Sequence, residues 1–252
     1  MRKRARGVFL LTQSIYCFSA ISQYFYILIN QPLMSIRFRK IFSAFLVFCF
    51  ISSLSGCFKD ATKISVIYQN DFENMDLKNM VASGFTNNSF GPFTDIKIVD
   101  YNGSKVLGRF NNGRIDLAIH QLPRHQAVSV QFDLFIHDKW ENTLWKMEID
   151  GQEKLLTGFS NFTAIQQSYP NWLGNGSTLF PAGANSFNKN LPGACSMASQ
   201  PNGTSEYKME QTFQHSDADF SFSCSDAGNY FNLNCERSWS IDNLKITLIN
   251  NQ

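Results

Sequence analysis

Histidine is scarce, 4 in 252 residues, and no His-Glu-x-x-His, Gly-x-Ser-x-Gly or glycine-rich phosphate loop occurs. Those absences remove the usual sequence marks of zinc hydrolases, serine hydrolases and nucleotide-binding enzymes. Charge is thin as well: 22 Lys+Arg stand against 20 Asp+Glu, a net of only +2. Much of the basic excess lies in Met1-Arg-Lys-Arg-Ala-Arg-Gly7 and Arg37-Phe-Arg-Lys40, so the remainder is near neutral or slightly acidic. A nucleic-acid partner normally demands a basic patch in the folded part, and none is visible. There is no Cys-x-x-Cys, no tandem repeat and no convincing amphipathic helix. What is plentiful is phenylalanine, 24 residues, much of it at alternating positions and accompanied by Asn and Gly. Phe favours strands, while Asn and Gly favour turns.

The N-terminal part reads as targeting sequence. Residues 7–30 are apolar and long enough to cross a bilayer, but Thr12, Gln13, Ser14, Ser19, Ser22 and Gln23 interrupt them. Residues 41–54 are shorter and more apolar, and they follow the basic segment Met34-Ser-Ile-Arg-Phe-Arg-Lys40. A basic start, an apolar run and small residues afterwards describe an export signal over residues 34–56. The signal ends in Leu54-Ser-Gly-Cys57, which resembles the lipobox of bacterial lipoproteins. The resemblance implies that Cys57 is acylated with palmitate-type chains and becomes the mature N-terminus. Two or three chains hold a protein stably on a membrane, whereas one binds marginally. Phe58 and Lys59 follow, without the aspartate that marks inner-membrane retention, so an outer-membrane, cell-envelope location is expected. Residues 1–33 have two readings: an extension upstream of a true start at Met34, or a transmembrane helix. Residues 57–63 form the tether, and 64–252 the exported domain.

Export implies an oxidising compartment. Cys195, Cys224 and Cys235 fall in the exported part, and three pairings are possible. The main reading is a Cys224–Cys235 disulfide closing the Gly/Asn-rich segment between them, with Cys195 free. A three-thiolate metal site lacks a supporting histidine.

Period-two runs then dominate: 64–68, 95–99, 105–110, 114–119, 127–136, 144–149, 154–159, 207–213, 218–223 and 239–248. Asn-Gly at 102–103 and 112–113 and Asp-Gly at 150–151 are hairpin signals. Strands at this spacing predict an all-β sandwich. Residues 161–205 interrupt the pattern as a long loop rich in Asn, Gly, Ser and Pro, and a loop of that length is usually functional or disordered.

Several pieces between Asp71 and Leu248 resemble a jelly-roll domain of secreted bacterial proteins, related to galactose-binding-like and carbohydrate-binding modules. They are Asp71-Phe-Glu73, Val106-Leu-Gly-Arg-Phe110, Leu122-Pro-x-His125, Phe132-Asp-Leu-Phe-Ile136, Asp138-Lys-Trp140, Phe159-Ser-Asn161, Gln167-Ser-Tyr-Pro170 and Trp239-Ser-Ile-Asp-Asn243. The loop expected to read Asp-Ser-Trp-Asp-Gly instead reads Asp138-Lys-Trp-Glu-Asn142. The resemblance implies terminal strands that pair and a structural Ca²⁺ between an early Glu and a late Asp. Glu73 and Asp242 are the best ligands, with Asp71 nearby. Trp140, Tyr169 and Trp172 are the candidate sugar platform, since flat aromatic faces suit half-wet sites. Trp145 lies in a strand and reads as core. Glu141, Glu148 and Asp150 carry nothing that marks a catalytic pair. The expectation is a membrane-anchored envelope protein that binds glycan or another surface ligand without catalysis. The alternatives are a structural or protein-binding lipoprotein, and a glycan-active enzyme.

Overall fold

The computed structural model describes residues 62–86, 89–92, 97–171, 178–226 and 235–251. The expected export signal, the expected anchor Cys57 and the candidate loop residue Trp172 lie outside them. Among the described residues there are thirteen strands and no α-helix. They are β1 (Thr62–Asn70), β2 (Met80–Thr86), β3 (Ser89–Pro92), β4 (Ile98–Tyr101), β5 (Ser104–Phe110), β6 (Gly113–Ile119), β7 (Ala127–Asp138), β8 (Glu141–Ile149), β9 (Gln152–Ser160), β10 (Asn188–Leu191), β11 (Thr204–Gln214), β12 (Phe220–Asp226) and β13 (Arg237–Asn251).

Two antiparallel sheets face one another as a jelly-roll β-sandwich. One runs β10-β11-β7-β13-β5-β4, with β1 also on β13, and the other runs β3-β2-β6-β12-β8-β9. The first and last strands pair, Thr62 opposite Asn251 through Asn70 opposite Leu244. This is the pairing that the jelly-roll resemblance implies. The alternation in the sequence decides which side chains meet in the core, because successive side chains leave a strand on opposite faces. On β7, Val128, Val130, Phe132, Leu134 and Ile136 point inward and are buried. They meet Trp145, Met147, Phe222, Ile115 and Trp239 from the other strands. The aromatic rings interlock: Trp145 and Trp239 lie 6.0 Å apart in edge-on contact, and Phe110 lies 4.8 Å from Trp239. The buried indole of Trp239 donates to Asp226 Oδ1 at 2.9 Å, which satisfies its N–H.

The Asp150-Gly151 turn joins β8 to β9 with φ of 52° and 70°, and Asn102-Gly103 joins β4 to β5 with 51° and 87°. Positive φ at both central residues is the type I′ requirement, which explains the Asn/Asp-Gly pairs.

The described parts of residues 161–205 are not a featureless loop. Buried Gln167 organises them: its Oε1 accepts from Ser160 N–H, Gly183 N–H and the Tyr207 hydroxyl, each at 3.1 Å. Its Nε2 donates to the carbonyls of Tyr169 and Ala184 at 3.1 Å. The end of the insertion folds onto the outer face of the β7-containing sheet. Leu191 joins Tyr101, Val106 and Phe135 there in a second, smaller apolar cluster.

The disulfide differs from the pairing expected on sequence. It joins Cys195 to Cys235, with Cα atoms 5.0 Å apart. Cys224 is a free, buried thiol. The reason lies in the strand face. Cys224 pairs with Ile115 on one side and Met147 on the other, so its side chain points into the core. Cys235 instead sits beside the insertion, where its carbonyl accepts from Ser196 N–H at 3.0 Å. The bridge therefore ties the long insertion to the start of the last strand.

Candidate functional site

Residues of β7 that do not face the core face outward, and the register places their neighbours. Asp133 stands between Lys208 of β11 and Asp242 of β13. Directly paired residues share a face, so a polar row crosses three strands. Lys208 Nζ bridges Asp133 Oδ2 at 2.8 Å and Glu206 Oε1 at 2.6 Å. Burial works against its charge, but the two carboxylates prevail and raise its pKa. One register step away, Gln131 donates to Glu210 at 2.8 Å.

On the other side the row is shaped by a bulge. The pairing of β13 with β7 slips between Asp242 and Lys245, and Asn243 takes a φ of 53°. That conformation, which Asn tolerates well, swings its amide onto Asp133 Oδ2 at 2.8 Å. Beyond it, Ser104 Oγ lies 2.8 Å from Glu73 Oε1 and 3.0 Å from Asp242 Oδ2. Burial raises the Asp242 carboxyl to about 6, against hydrogen bonds from Asn243 and Ser104 and with help from the charges of Asp133 and Glu73. Glu73 is held low, chiefly by the Lys105 N–H and then by Ser104.

At the β10 edge the row meets a ring. Phe187 is 71% exposed, and Lys208 Nζ sits 5.0 Å from its centroid. The upper part of the same face is closed. There His137 is fully buried, 3.0 Å from both Thr204 Oγ1 and Ser240 Oγ, with the Tyr101 ring 4.6 Å away.

The sequence-nominated residues fare differently. Glu73 and Asp242 do come together, through Ser104. Asp71 does not join them; it is exposed, and its Oδ1 receives Glu73 N–H within its own turn at 3.4 Å. Among the described residues no group of three or more His, Cys, Asp or Glu is placed to hold a metal ion. Two carboxylates that share one hydroxyl suit a hard cation only if backbone and water oxygens complete its shell. Trp140 is not a platform: it is fully buried, and its indole donates to Thr143 O at 2.9 Å. Tyr169 is half-buried, wedged 4.7 Å from Phe159 and 5.1 Å from Tyr207. Trp145 is core, as its strand position implies. Phe187, Lys208 and Asp133 were missed. Phe187 lies in a polar loop without alternation, and the other two read individually as ordinary strand residues. Only the register shows that Lys208, Asp133 and Asp242 form a line.

No family model matches the chain, and no curated protein matches it. Solved structures that share parts of the fold include carbohydrate-binding modules. One is the CBM22-1 xylan-binding domain from Paenibacillus barcinonensis Xyn10C, with 9% identity and a TM-score of 0.37 over 76% of this chain and 99% of that one. Another is a family 35 carbohydrate-binding module from Clostridium thermocellum, with 9% identity and a TM-score of 0.30 over 73% of this chain and 97% of that one. Latent PorU from Porphyromonas gingivalis is similar at 5% identity and a TM-score of 0.32, and this chain spans only 10% of its length. At these identities the likeness concerns the sandwich alone.

Proposed function

We propose that the chain is a lipid-anchored envelope protein whose sandwich binds glycan, without catalysis, on the outer face of the β7 sheet around Phe187 and Lys208. The observation that carries this reading is the in-register row Lys208–Asp133–Asp242 ending beside the exposed Phe187 ring. Sugars offer hydroxyls to polar and charged groups and C–H faces to aromatic rings; here Lys208, with a side chain 47% exposed, and the Phe187 ring are the exposed partners, while Asp133 and Asp242 are buried and hold Lys208 and Asn243 in place. A non-catalytic role is supported by how the acids are tied. Asp242 Oδ1 takes the Asn243 N–H, and its Oδ2 shares the Ser104 hydroxyl with Glu73. Glu148 is held by Arg114 at 2.6 Å and Lys146 at 2.9 Å. A structural Ca²⁺ between Glu73 and Asp242 belongs to the proposal, as do acylation of Cys57 and an outer-membrane location. The test is a glycan array on the full-length chain, with Phe187→Ala and Lys208→Ala beside the wild type. Binding that both variants weaken supports the face. Unchanged binding in both would place the ligand elsewhere, and no binding at all would favour a structural or protein-binding role.

A further inference from the structure

A cavity of about 500 Å³ opens at the end of the sandwich, between the β8–β9 turn and the segment joining β11 to β12. That volume falls in the range of small-ligand sites, about 300–1,000 Å³. None of Phe187, Lys208, Asp133 and Asp242 lines it, so it is separate from the outer face described above.

Its wall is fixed by the fold. His125 and His215 are buried and joined to each other, Nε2 to Nδ1, at 2.6 Å. Asp150 is engaged as well: its Oδ1 accepts from Ser221 N–H at 2.8 Å, and its Oδ2 stands 3.2 Å from His215 Nε2. These three side chains hold the wall. Phe213 is the last inward-facing residue of β11, opposite Val128 of β7, and it packs against the main core. Its ring is only half-buried and also lines the cavity. The cavity therefore has one flat aromatic surface, held in place from behind.

The open groups are of a different kind. Gln152, Gln214, Ser216 and Asp217 are exposed and line the same space. Lys154 follows Gln152 by two positions on β9, so the two share a face. Its Nζ donates to Gln152 Oε1 at 2.9 Å and stands 5.9 Å from the Phe213 centroid. A carboxamide and a hydroxyl each carry both donor and acceptor. Of the Asp, Glu, Lys and Arg side chains on the cavity, Asp150 and Asp217 are acidic and only Lys154 is basic. There is no positive excess to hold an anion.

We infer that this cavity is a second ligand site, and that it binds a neutral sugar stacked on the Phe213 ring. A sugar ring presents a C–H face to an aromatic surface and a rim of hydroxyls that both donate and accept. The cavity offers the matching set: one ring, with Gln152, Gln214 and Ser216 around it. Lys154 supplies a further donor and Asp217 a further acceptor. An apolar ligand would strip water from these groups without replacing its hydrogen bonds, which costs free energy. A uronic acid would bring its carboxylate toward Asp150 and Asp217, and like charges brought together disfavour the wrong partner. The site stands whether or not the face around Phe187 and Lys208 takes glycan, because no lining residue is shared.

The test uses the ¹⁵N-labelled full-length chain in detergent micelles, titrated separately with the methyl glycosides of glucose, galactose, mannose, xylose and glucuronic acid. At least one of the neutral glycosides should shift the backbone signals of Phe213, Gln214 and Ser216 and the side-chain amide of Gln152, and the shifts should saturate. The glucuronide should bind there about tenfold more weakly or worse. Phe213→Leu keeps an apolar side chain against the core but removes the flat face, and should weaken binding about tenfold. Gln214 is exposed, so Gln214→Ala leaves the fold intact and should weaken binding about fivefold. No saturable shift at these residues with any neutral glycoside, or binding that survives both substitutions, overturns the inference. Equal binding of the glucuronide overturns the neutral ligand. Shifts confined to Lys208, Gln131 and Asn188 would overturn the cavity site while leaving the outer face as the place where glycan binds.

Discussion

Glu73 and Asp242 share one serine hydroxyl, Ser104 Oγ, which lies 2.8 Å from the first carboxylate and 3.0 Å from the second. A hydroxyl has one hydrogen to donate, so the two acids are not both satisfied by it. A cation between them would remove the repulsion, and calcium is the proposed occupant. Calcium in excess should raise the melting temperature of the wild type at pH 7.5 by several degrees. A hundredfold excess over Kd corresponds to about 2.7 kcal/mol. Asp242→Ala should melt at the same temperature with calcium or with chelator. A wild type equally indifferent to both would remove calcium from the proposal.

Trp140 and Phe187 should separate stability from binding. Trp140 is fully buried, so Trp140→Ala should cost about 3–5 kcal/mol in chemical denaturation. Phe187 is 71% exposed, so Phe187→Ala should change stability by no more than about 0.5 kcal/mol while weakening glycan capture. Loss of binding in a stable, folded Trp140→Ala protein would restore Trp140 to the site.

The Cys195–Cys235 bridge spans 40 residues of sequence. Peptide mapping without reduction should recover that pair, with Cys224 blocked only after denaturation. Cys195→Ala/Cys235→Ala should lower stability by about 2–4 kcal/mol. It should also speed proteolysis within residues 192–203, where Asp138 Oδ1 otherwise holds the N–H groups of Cys195 and Met197 at 3.0 and 2.9 Å. A native peptide linking Cys224 would contradict the strand-face explanation.

Burial, aided by the charge of Arg109, pushes the His137 imidazole down to about 3. A depressed folded-state value means that stability is fully present above the ordinary histidine range and drains away as pH falls from about 6.5. The slope is at most about 1.4 kcal/mol per pH unit. Asp242, raised to about 6, contributes the opposite slope, losing stability as pH rises through that value. The informative quantity is therefore a difference. His137→Gln, which keeps partners for Thr204 and Ser240, should show a flatter melting curve than the wild type between pH 6.5 and pH 4. Parallel curves would mean that His137 is protonated in the fold.

Acylation at Cys57 is tested directly. Cys57→Ser should abolish labelling by a clickable palmitate analogue and accumulate unprocessed precursor. Labelling that survives the substitution would end the lipoprotein proposal.

The sandwich was readable because alternation is a local property. The run 127–136 declares its two faces in ten residues, and Asp150-Gly151 declares its turn in two. Two short strands, β3 and β10, and the β2 strand escaped. The β10 segment Asn-Lys-Asn-Leu has no alternation of its own and is a strand only because Asn188 and Leu191 pair with β11. Within the described parts of residues 161–205, order comes from buried groups such as the Gln167 amide and the Asp138 carboxylate, and these depend on partners as distant as Tyr207 and Met197.

By itself, then, the sequence determined what short segments do: which residues alternate and where the chain reverses; for the N-terminal part it set only the expectation of an export signal ending in Cys57. Those depend on neighbours within a few positions. Tertiary structure alone decided which distant groups share a face or a cavity. It turned Cys224 into the core and left Cys235 for Cys195, because β12 is flanked on both sides and its register fixes which side chains point inward. It brought Asp133, Lys208 and Asp242 into one row, and His215 beside Asp150, through strand register and loop closure. A one-residue shift in either would scatter them to opposite faces, and no local pattern records which register the sheet adopts.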